Sequence, residues 1–326
     1  MYDQLRDQSK VRTGKKVVSV QHSDSSVTVV CQDGSEFVGD IVIGADGIHS
    51  FIRQEMQRFA EENGPPGVMD RDKTSKSPIQ FLLVVASSRP LETHDQVGQQ
   101  GDQQLNSTGI TAEYNCFFGI SSSNTSLTPG DSHTAAEIDH SALLFVSAGN
   151  LPQWFFFSKM PRRYIGASNI PRFTKADMDA QVAQYSDFHV TEDVTLKHLV
   201  DTSEKISYFP LEEANHEHWT FGRFVCLGDA IHKMTPNMGQ GGNQAIESAA
   251  VLTNCLLELL NASEGKKAQA KEIEETLLRY QDLRQQRARM IVGFSADLTR
   301  SDALATLAHT LRFLFKPPPG GFVAGM

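Results

Sequence analysis

"GDAIHKMTPNMGQGGNQAIESA", residues 228–249, is the stretch on which the reading of this chain turns. It packs Gly228, Gly239, Gly241 and Gly242 together with Asp229, His232 and Pro236 between a strand-like apolar run, "RFVCLG", and a helix-like run that begins near Asn243. Glycines without side chains let another molecule approach the backbone closely. The first turn of a helix has N–H groups with no partner in the helix, and these favour negative charge. Asp229, at the end of the strand, suits the hydroxyls of a ribose-like chain, and Pro236 offers a rigid apolar wall without an N–H. Ala245, Ala249 and Ala250 are small enough for close packing of the helix. The length and order of this pattern exceed what a plain glycine-rich connector needs.

A second stretch, "GADGIHSFIR" (44–53), has the same grammar: a buried strand running into Gly44, then Asp46 and Gly47, then a helix that Ser50 can cap. Asp46 can accept from a ribose hydroxyl, and Arg53 can either tie the loop down or pair with a phosphate. Taken alone, this segment is equally well an ordinary strand–turn–helix corner.

Around these two stretches the pattern predicts α/β character at both ends and a β-rich middle. Residues 1–10 read as the end of a helix. "KKVVSVQHS", "SVTVVCQ" and "SEFVGDIVIGADG" read as three strands, with Asp33-Gly34 as a hairpin signal. "DIVIG" reads as a strand buried on both faces. A helix follows at 51–62. "PIQFLLVVASS", "EYNCFFGISSS", "SALLFVSAG" and "QWFFFSKM" read as strands joined by long loops at 87–110 and 121–140, and 174–200 reads as helical. "NQAIESAAVLTNCLLELL" and "AKEIEETLLRYQDLRQQRARMIVGF" read as long helices, and the tail "KPPPGGFVAGM" has no regular pattern. The expected division is 1–75, 76–215, 216–295 and 296–326, with a ligand cleft between two lobes.

Composition narrows the chemistry. The 326 residues carry a net charge of −9, which does not attract a phosphate backbone, so nucleic acid is not an expected partner. The run "AAVLTNCLLELL" is shorter than the ~20 residues of a membrane span. "MYDQLRDQSK" lacks the apolar core of a signal peptide, so the sequons at Asn106, Asn124 and Asn261 read as chance. Cys31, Cys116, Cys226 and Cys255 form no CxxC pair, and Cys226 and Cys255 read as small core residues. A reducing location is expected: intracellular, cytoplasmic or peripheral to a membrane. There is no G-x-S-x-G elbow, no Walker loop and no HExxH, and no metal site is expected. His216 and His218 of "HEHW" read as solvated, and His49 and His232 as loop-packing residues.

Together the two motifs resemble those of the class A flavoprotein monooxygenases, the single-component hydroxylases and epoxidases of the p-hydroxybenzoate hydroxylase type. The resemblance is closest to fungal enzymes that epoxidise prenylated intermediates of meroterpenoid and indole-diterpene pathways, the paxilline pathway among them. "YQDLRQQRA" (Tyr280, Arg284, Arg287) resembles the helix that follows in that family. The fold so implied is a mixed α/β FAD/NAD(P)-binding fold with a β-rich substrate lobe. In that family FAD, reduced by NADPH, uses O2 to deliver one oxygen atom to an electron-rich ring or alkene. The resemblance implies that Asp229 holds the ribityl–pyrophosphate region and that Pro236, Gly239 and Gln240 lie along the isoalloxazine. Gly241, Gly242 and Asn243 would meet its N1–C2–N3 edge, and Asp46, with Gly47 and Arg53 beside it, would serve FAD and the approaching NADPH. A small hydrophobic substrate is expected under the β-rich lobe, against "FFGI" or "QWFFF"; no catalytic residue is assigned.

One departure stands out. The family opens with a βαβ unit carrying GxGxxG, and no GxGxxG occurs here. The expectation is that this first unit, on the order of 100 residues, is missing. The rival expectation is a truncated, non-catalytic remnant that binds FAD weakly or not at all. A flavin-dependent halogenase would carry W-x-W-x-I-P, and Trp154 and Trp219 form no such segment.

Overall fold

The computed structural model describes residues 2–23, 25–69, 109–122 and 126–315. The expected strand "PIQFLLVVASS", most of the 87–110 loop, Asn106, Asn124 and the tail from 316 lie outside the described residues.

The chain opens with two short 3-10 turns, Tyr2–Gln4 and Gln8–Lys10, where the end of a helix was expected. The Asp7 carboxylate accepts from the Ser9 N–H at 3.0 Å and offers the backbone a local alternative to helix. Strands β1 (Val17–His22), β2 (Val27–Cys31) and β3 (Glu36–Gly39) form an antiparallel sheet in that order. Its Asp33-Gly34 turn forms as expected, with Gly34 at φ +81° and its N–H on the Cys31 carbonyl at 2.9 Å. The chain breaks at Asp40, so "SEFVGDIVIG" is two strands, with β4 at Val42–Gly44. β4 corrects the expectation of a strand buried on both faces: Val42 and Gly44 are buried, but Ile43 is 44% exposed. The reason is position, because β4 ends the three-stranded sheet to which it belongs. Helix α1 (Phe51–Asn63) starts at Ser50, whose Oγ accepts from the Arg53 N–H at 2.9 Å.

The β-rich part is built on long strands: β5 (Thr111–Ser121), β6 (Ser132–Glu137), β7 (His140–Ser147) and β8 (Leu151–Ile165). β6 lies inside the stretch expected to be loop; "SHTAAE" is a polar edge strand with no apolar alternation to announce it. The 174–200 segment is two helices, α2 (Lys175–Gln184) and α3 (Leu196–Asp201), separated by a turn. β9 (Ser203–Asn215) lies inside the stretch expected to be β-rich, but was not read as a strand of its own.

β10 (Thr220–Phe221) and β11 (Phe224–Cys226) bring the chain back to β4, and β11 lies parallel to it with Cys226 opposite Gly44. A two-residue strand, β12 (His232–Lys233), then completes the large sheet, ordered β12-β9-β5-β8-β7-β6. Three helices close the chain: α4 (Gly241–Ala262), α5 (Ala270–Asp302) and α6 (Leu307–Leu314). α5 runs past residue 295 and crosses the boundary drawn there from the sequence. One core joins α1, β11, α4 and α5 through Met56, Val225, Leu252, Cys255 and Leu277. Cys226 and Cys255 are core residues, as expected.

By length and mean hydropathy (1.2), α4 is apolar enough to cross a membrane. Polar contacts run along its inner face. Buried Arg284 of α5 donates to Glu247 Oε2 at 2.9 Å and to Gln244 Oε1 at 2.9 Å.

Candidate functional site

The two motif loops leave the carboxyl ends of adjacent parallel strands, the position where open α/β sheets bind their ligands. The strands are drawn close by Gly44. A Cβ there would lie 2.8 Å from Cys226 Sγ and 2.9 Å from Ile52 Cβ, so β4 can hold β11 and α1 at this distance only with glycine. The Leu227 N–H donates to the Gly44 carbonyl at 2.9 Å, so the ladder continues to the root of the second motif.

In the first motif, Asp46 is committed to the start of α1. Its carboxylate accepts from the Phe51 N–H (2.8 Å), the Ile52 N–H (3.1 Å) and the Ser50 hydroxyl. Gly47 turns the chain at φ +82°. Of the two roles open to Arg53, the structure displays the tie. The side chain is 4% exposed, and its guanidinium donates to the Ile48 carbonyl at 2.8 Å and to the Ala230 carbonyl. One arginine from the first motif thus grips the backbone of both loops.

The second motif turns at Gly228 (φ +64°), where an added Cβ would lie 3.3 Å from Ala245 Cβ. Asp229, half-buried, is steadied by Lys233 at 2.6 Å. β12 then pairs His232 with Asn215 of β9, so the motif itself stitches the large sheet to the α/β part. His232 is fully buried, with Nε2 2.9 Å from Ser248 Oγ of α4, and burial pushes its pKa down to about 4, so it packs as a neutral ring. Thr235 donates to the Ser295 carbonyl of α5 at 2.8 Å, and Asn237 donates to Asp302 at 3.0 Å. These bonds fix the 3-10 turn Pro236–Met238, which Gly239 ends at φ +63°. Gln240 gives α4 no side-chain cap. Cβ atoms added at Gly239, Gly241 and Gly242 would meet nothing within 4 Å. Asn243 is exposed and reaches back to the Gly239 carbonyl at 3.4 Å. The uncapped N-terminus of α4 therefore faces open space across a bare backbone.

Beside Pro236 lies a cleft of about 540 Å³, in the size range of small-molecule sites. The first motif contributes Ile48 and His49, and the second contributes Lys233, Met234 and Pro236. The sheet contributes Phe155 of β8 and residues 208–212 of β9, and a strap at 167–173 closes the far side. His49 Nε2 lies 3.1 Å from Glu212 Oε1, bridging the motif loop to β9. Phe155 belongs to "QWFFF", and Phe118 of "FFGI" pairs with it in the sheet with ring centroids 4.9 Å apart. The wall that the sequence hid is β9. Its "SYFPLEE" carries Tyr208, Phe209 and Glu212, and the apolar cluster of Ile206, Tyr208, Phe209 and Leu211 was the available signal, obscured by Pro210 and the acidic residues. His216, expected in solvent, is buried at 3%, and its carbonyl accepts from Trp219 Nε1 at 3.0 Å. Among the described residues no group of three or more His, Cys, Asp or Glu side chains could hold a metal.

Comparison with known proteins agrees with this geometry. The profile of the "FAD binding domain" family matches residues 162–295. The FAD-dependent monooxygenase BOA8 of Botryotinia fuckeliana (strain B05.10) is 36% identical over 318 residues, covering 98% of this chain and 37% of that protein. The FAD-dependent monooxygenase verC2 of Penicillium polonicum is 31% identical over 300 residues, covering 92% of this chain and 69% of that protein. The chain thus spans between about a third and about two thirds of these relatives' length. Among solved structures, Klebsiella pneumoniae HpxO complexed with FAD and uric acid superposes with a TM-score of 0.62 at 20% identity, over 92% of this chain and 61% of that one. The two loops on neighbouring parallel strands, the bare helix start and the relatives that align over nearly the whole of this chain lead to one assignment: the chain belongs to the FAD-dependent monooxygenases.

Proposed function

We propose that this chain carries the flavin-holding site of a monooxygenase that uses NAD(P)H and O2 to epoxidise or hydroxylate a hydrophobic, prenylated or polycyclic secondary-metabolite intermediate. The observation that carries the reading is the open, uncapped start of α4 behind Gly239, Gly241 and Gly242, next to the mouth of an aromatic cleft. The residues fit FAD: a flat ring can approach a backbone that has no Cβ in the way. Bound FAD supplies the redox and oxygen-transfer chemistry. The N–H groups of Gly241, Gly242 and Asn243 favour negative charge on the ring edge they meet. Asp229, steadied by Lys233, accepts from a ribityl hydroxyl, and Pro236 presents an apolar wall to the ring. Arg53 and Asp46 act behind the site by holding the loops in place. Phe155, Phe209 and Met234 keep the neighbouring cleft dry, which protects a reactive oxygen species from water. NAD(P)H as reductant and the secondary-metabolite substrate rest on the family. The four free, buried cysteines fit a reducing compartment.

The test is colour. The purified chain should absorb near 450 nm or become yellow on adding FAD, and Asp229→Ala should lose the flavin on gel filtration. A colourless protein that takes up no FAD would favour the rival reading of a non-catalytic remnant. Unchanged flavin content in Asp229→Ala would refute the role given to that carboxylate.

A further inference from the structure

We infer that Arg172 is the specificity-determining anchor of the cleft, and that the cleft takes a ring-bearing apolar molecule with one anionic oxygen group, a carboxylate, enolate or phenolate, docked on that guanidinium. The inference rests on the reading of this cleft as the substrate site. Four side chains that can carry charge line the cleft: His49, Glu212, Lys233 and Arg172. Three of them have partners: His49 and Glu212 face each other at 3.1 Å, and Lys233 holds Asp229 at 2.6 Å. Arg172 has neither an ion pair nor a hydrogen bond among the described residues. In a chain with 39 acidic and 30 basic residues, a cation left unpaired at the wall of an apolar cleft stands out.

Its neighbours hold it there. Ile170, two residues earlier, is buried at 7%. Phe173, the next residue, stacks on Tyr208 with ring centroids 4.4 Å apart, and Tyr208 stacks on Phe117 at 4.3 Å. The strap is therefore pinned on both sides of Arg172, which lines the cleft together with Phe155, Phe173 and Tyr208. That arrangement suits a ligand with a flat apolar body and an acceptor at one end, because a guanidinium binds an oxyanion through paired donors and is weakly hydrated beside rings. With the anion on Arg172, the body lies against Phe173 and Phe155, and the other end points to Pro236, where the proposed flavin would stand.

The experiment titrates the full chain with two fluorescent probes that share their rings. 8-Anilinonaphthalene-1-sulfonate carries an anion, and N-phenyl-1-naphthylamine does not. Arg172→Gln should weaken the sulfonate probe about tenfold, leave the neutral probe within about twofold and leave the melting temperature unchanged, because the side chain is exposed. Phe173→Ala should weaken both probes. An unchanged sulfonate affinity in Arg172→Gln would overturn the inference, as would equal losses of both probes or no effect of Phe173→Ala. NADPH provides a separate arm. If it displaces the sulfonate probe and loses affinity by the same factor in Arg172→Gln, the anion recognised is the nucleotide's phosphate, and the substrate assignment falls. Flavin content, read at 450 nm on the same samples, reports on the proposed function independently of probe binding.

Discussion

Replacing Arg53 by methionine tests whether the two motifs are one structural unit. The side chain is 4% exposed and donates to the Ala230 carbonyl in the buried interior and to the Ile48 carbonyl at 2.8 Å in a partly buried position. Hydrogen bonds from charged groups contribute roughly 1.5–3 kcal/mol each, the higher value where water is excluded. Methionine fills much of the same volume but offers neither carbonyl a donor. The expected loss is therefore about 4 kcal/mol, a large part of a typical folding free energy of roughly 5–15 kcal/mol. For a chain of this size that corresponds to a melting temperature lower by about 6 °C. Arg53→Lys, which keeps one donor, should lose about half as much. The assay is thermal unfolding followed by circular dichroism, without FAD and with FAD in excess. A tie between loops destabilises the protein in both conditions, whereas a phosphate partner would lower stability only when FAD is present. An FAD-free melting temperature within about 2 °C of the parent would refute the loop-tie argument. A loss seen only with FAD would restore the phosphate reading of Arg53.

Two further substitutions probe the fit of each loop. Gly44→Ala inserts a Cβ 2.8 Å from Cys226 Sγ and 2.9 Å from Ile52 Cβ, so urea unfolding should show a loss of about 2 kcal/mol. Gly242→Ala, in open space, should leave stability nearly unchanged while weakening FAD, and equal urea midpoints for the two variants would contradict this contrast. Burial lowers the His232 pKa from 6.5 to about 4, so the unfolded chain binds more protons between those values. The stability this residue contributes is present above pH 6.5 and is lost as pH falls towards 4, by about 3 kcal/mol. His232→Gln should remove that part of the slope, and parallel stability–pH curves for parent and variant would show the assignment wrong.

The two motif loops were legible because their residues are constrained locally. Gly47, Gly228 and Gly239 all adopt positive φ, and Ser50 caps α1 within three residues of its own position. What could not be read depends on contacts distant in sequence. Arg53 had two open roles because its partner, Ala230, lies 177 residues away. β9 was missed because its "SEKISYFPLEEAN" carries charges and a proline and becomes a strand only between β5 and β12. His216 read as solvated because nothing near it in sequence reports that the chain folds back over it. The cleft inherits this blindness: "QWFFF" could be singled out as a region, but Tyr208, Glu212 and Arg172 join it only through the sheet and the strap.

The 33 residues of α5 explain how a loop rich in glycine keeps a defined shape. Tyr280 reaches the Cys226 carbonyl at 3.3 Å, at the strand that leads into the motif. One turn later Arg284 grips Gln244 and Glu247, and Arg287 adds a second bond to Glu247 at 2.7 Å, at the helix that leaves the motif. Farther along, Ser295 and Thr299 hold Thr235 and Asn237 in the middle of the loop. Arg300 ends the series on Glu113 (2.7 Å) and Glu213 (3.3 Å) of the large sheet. Burial works against the Arg300 charge, but the two carboxylates outweigh it and hold its pKa above the ordinary value. The entrance, centre and exit of the glycine loop, and the sheet that floors the cleft, are thus attached to one rigid rod. Rigidity that the glycines cannot supply is borrowed from the helix. The backbone can then stay bare where a flavin must approach and still present its N–H groups in a fixed direction.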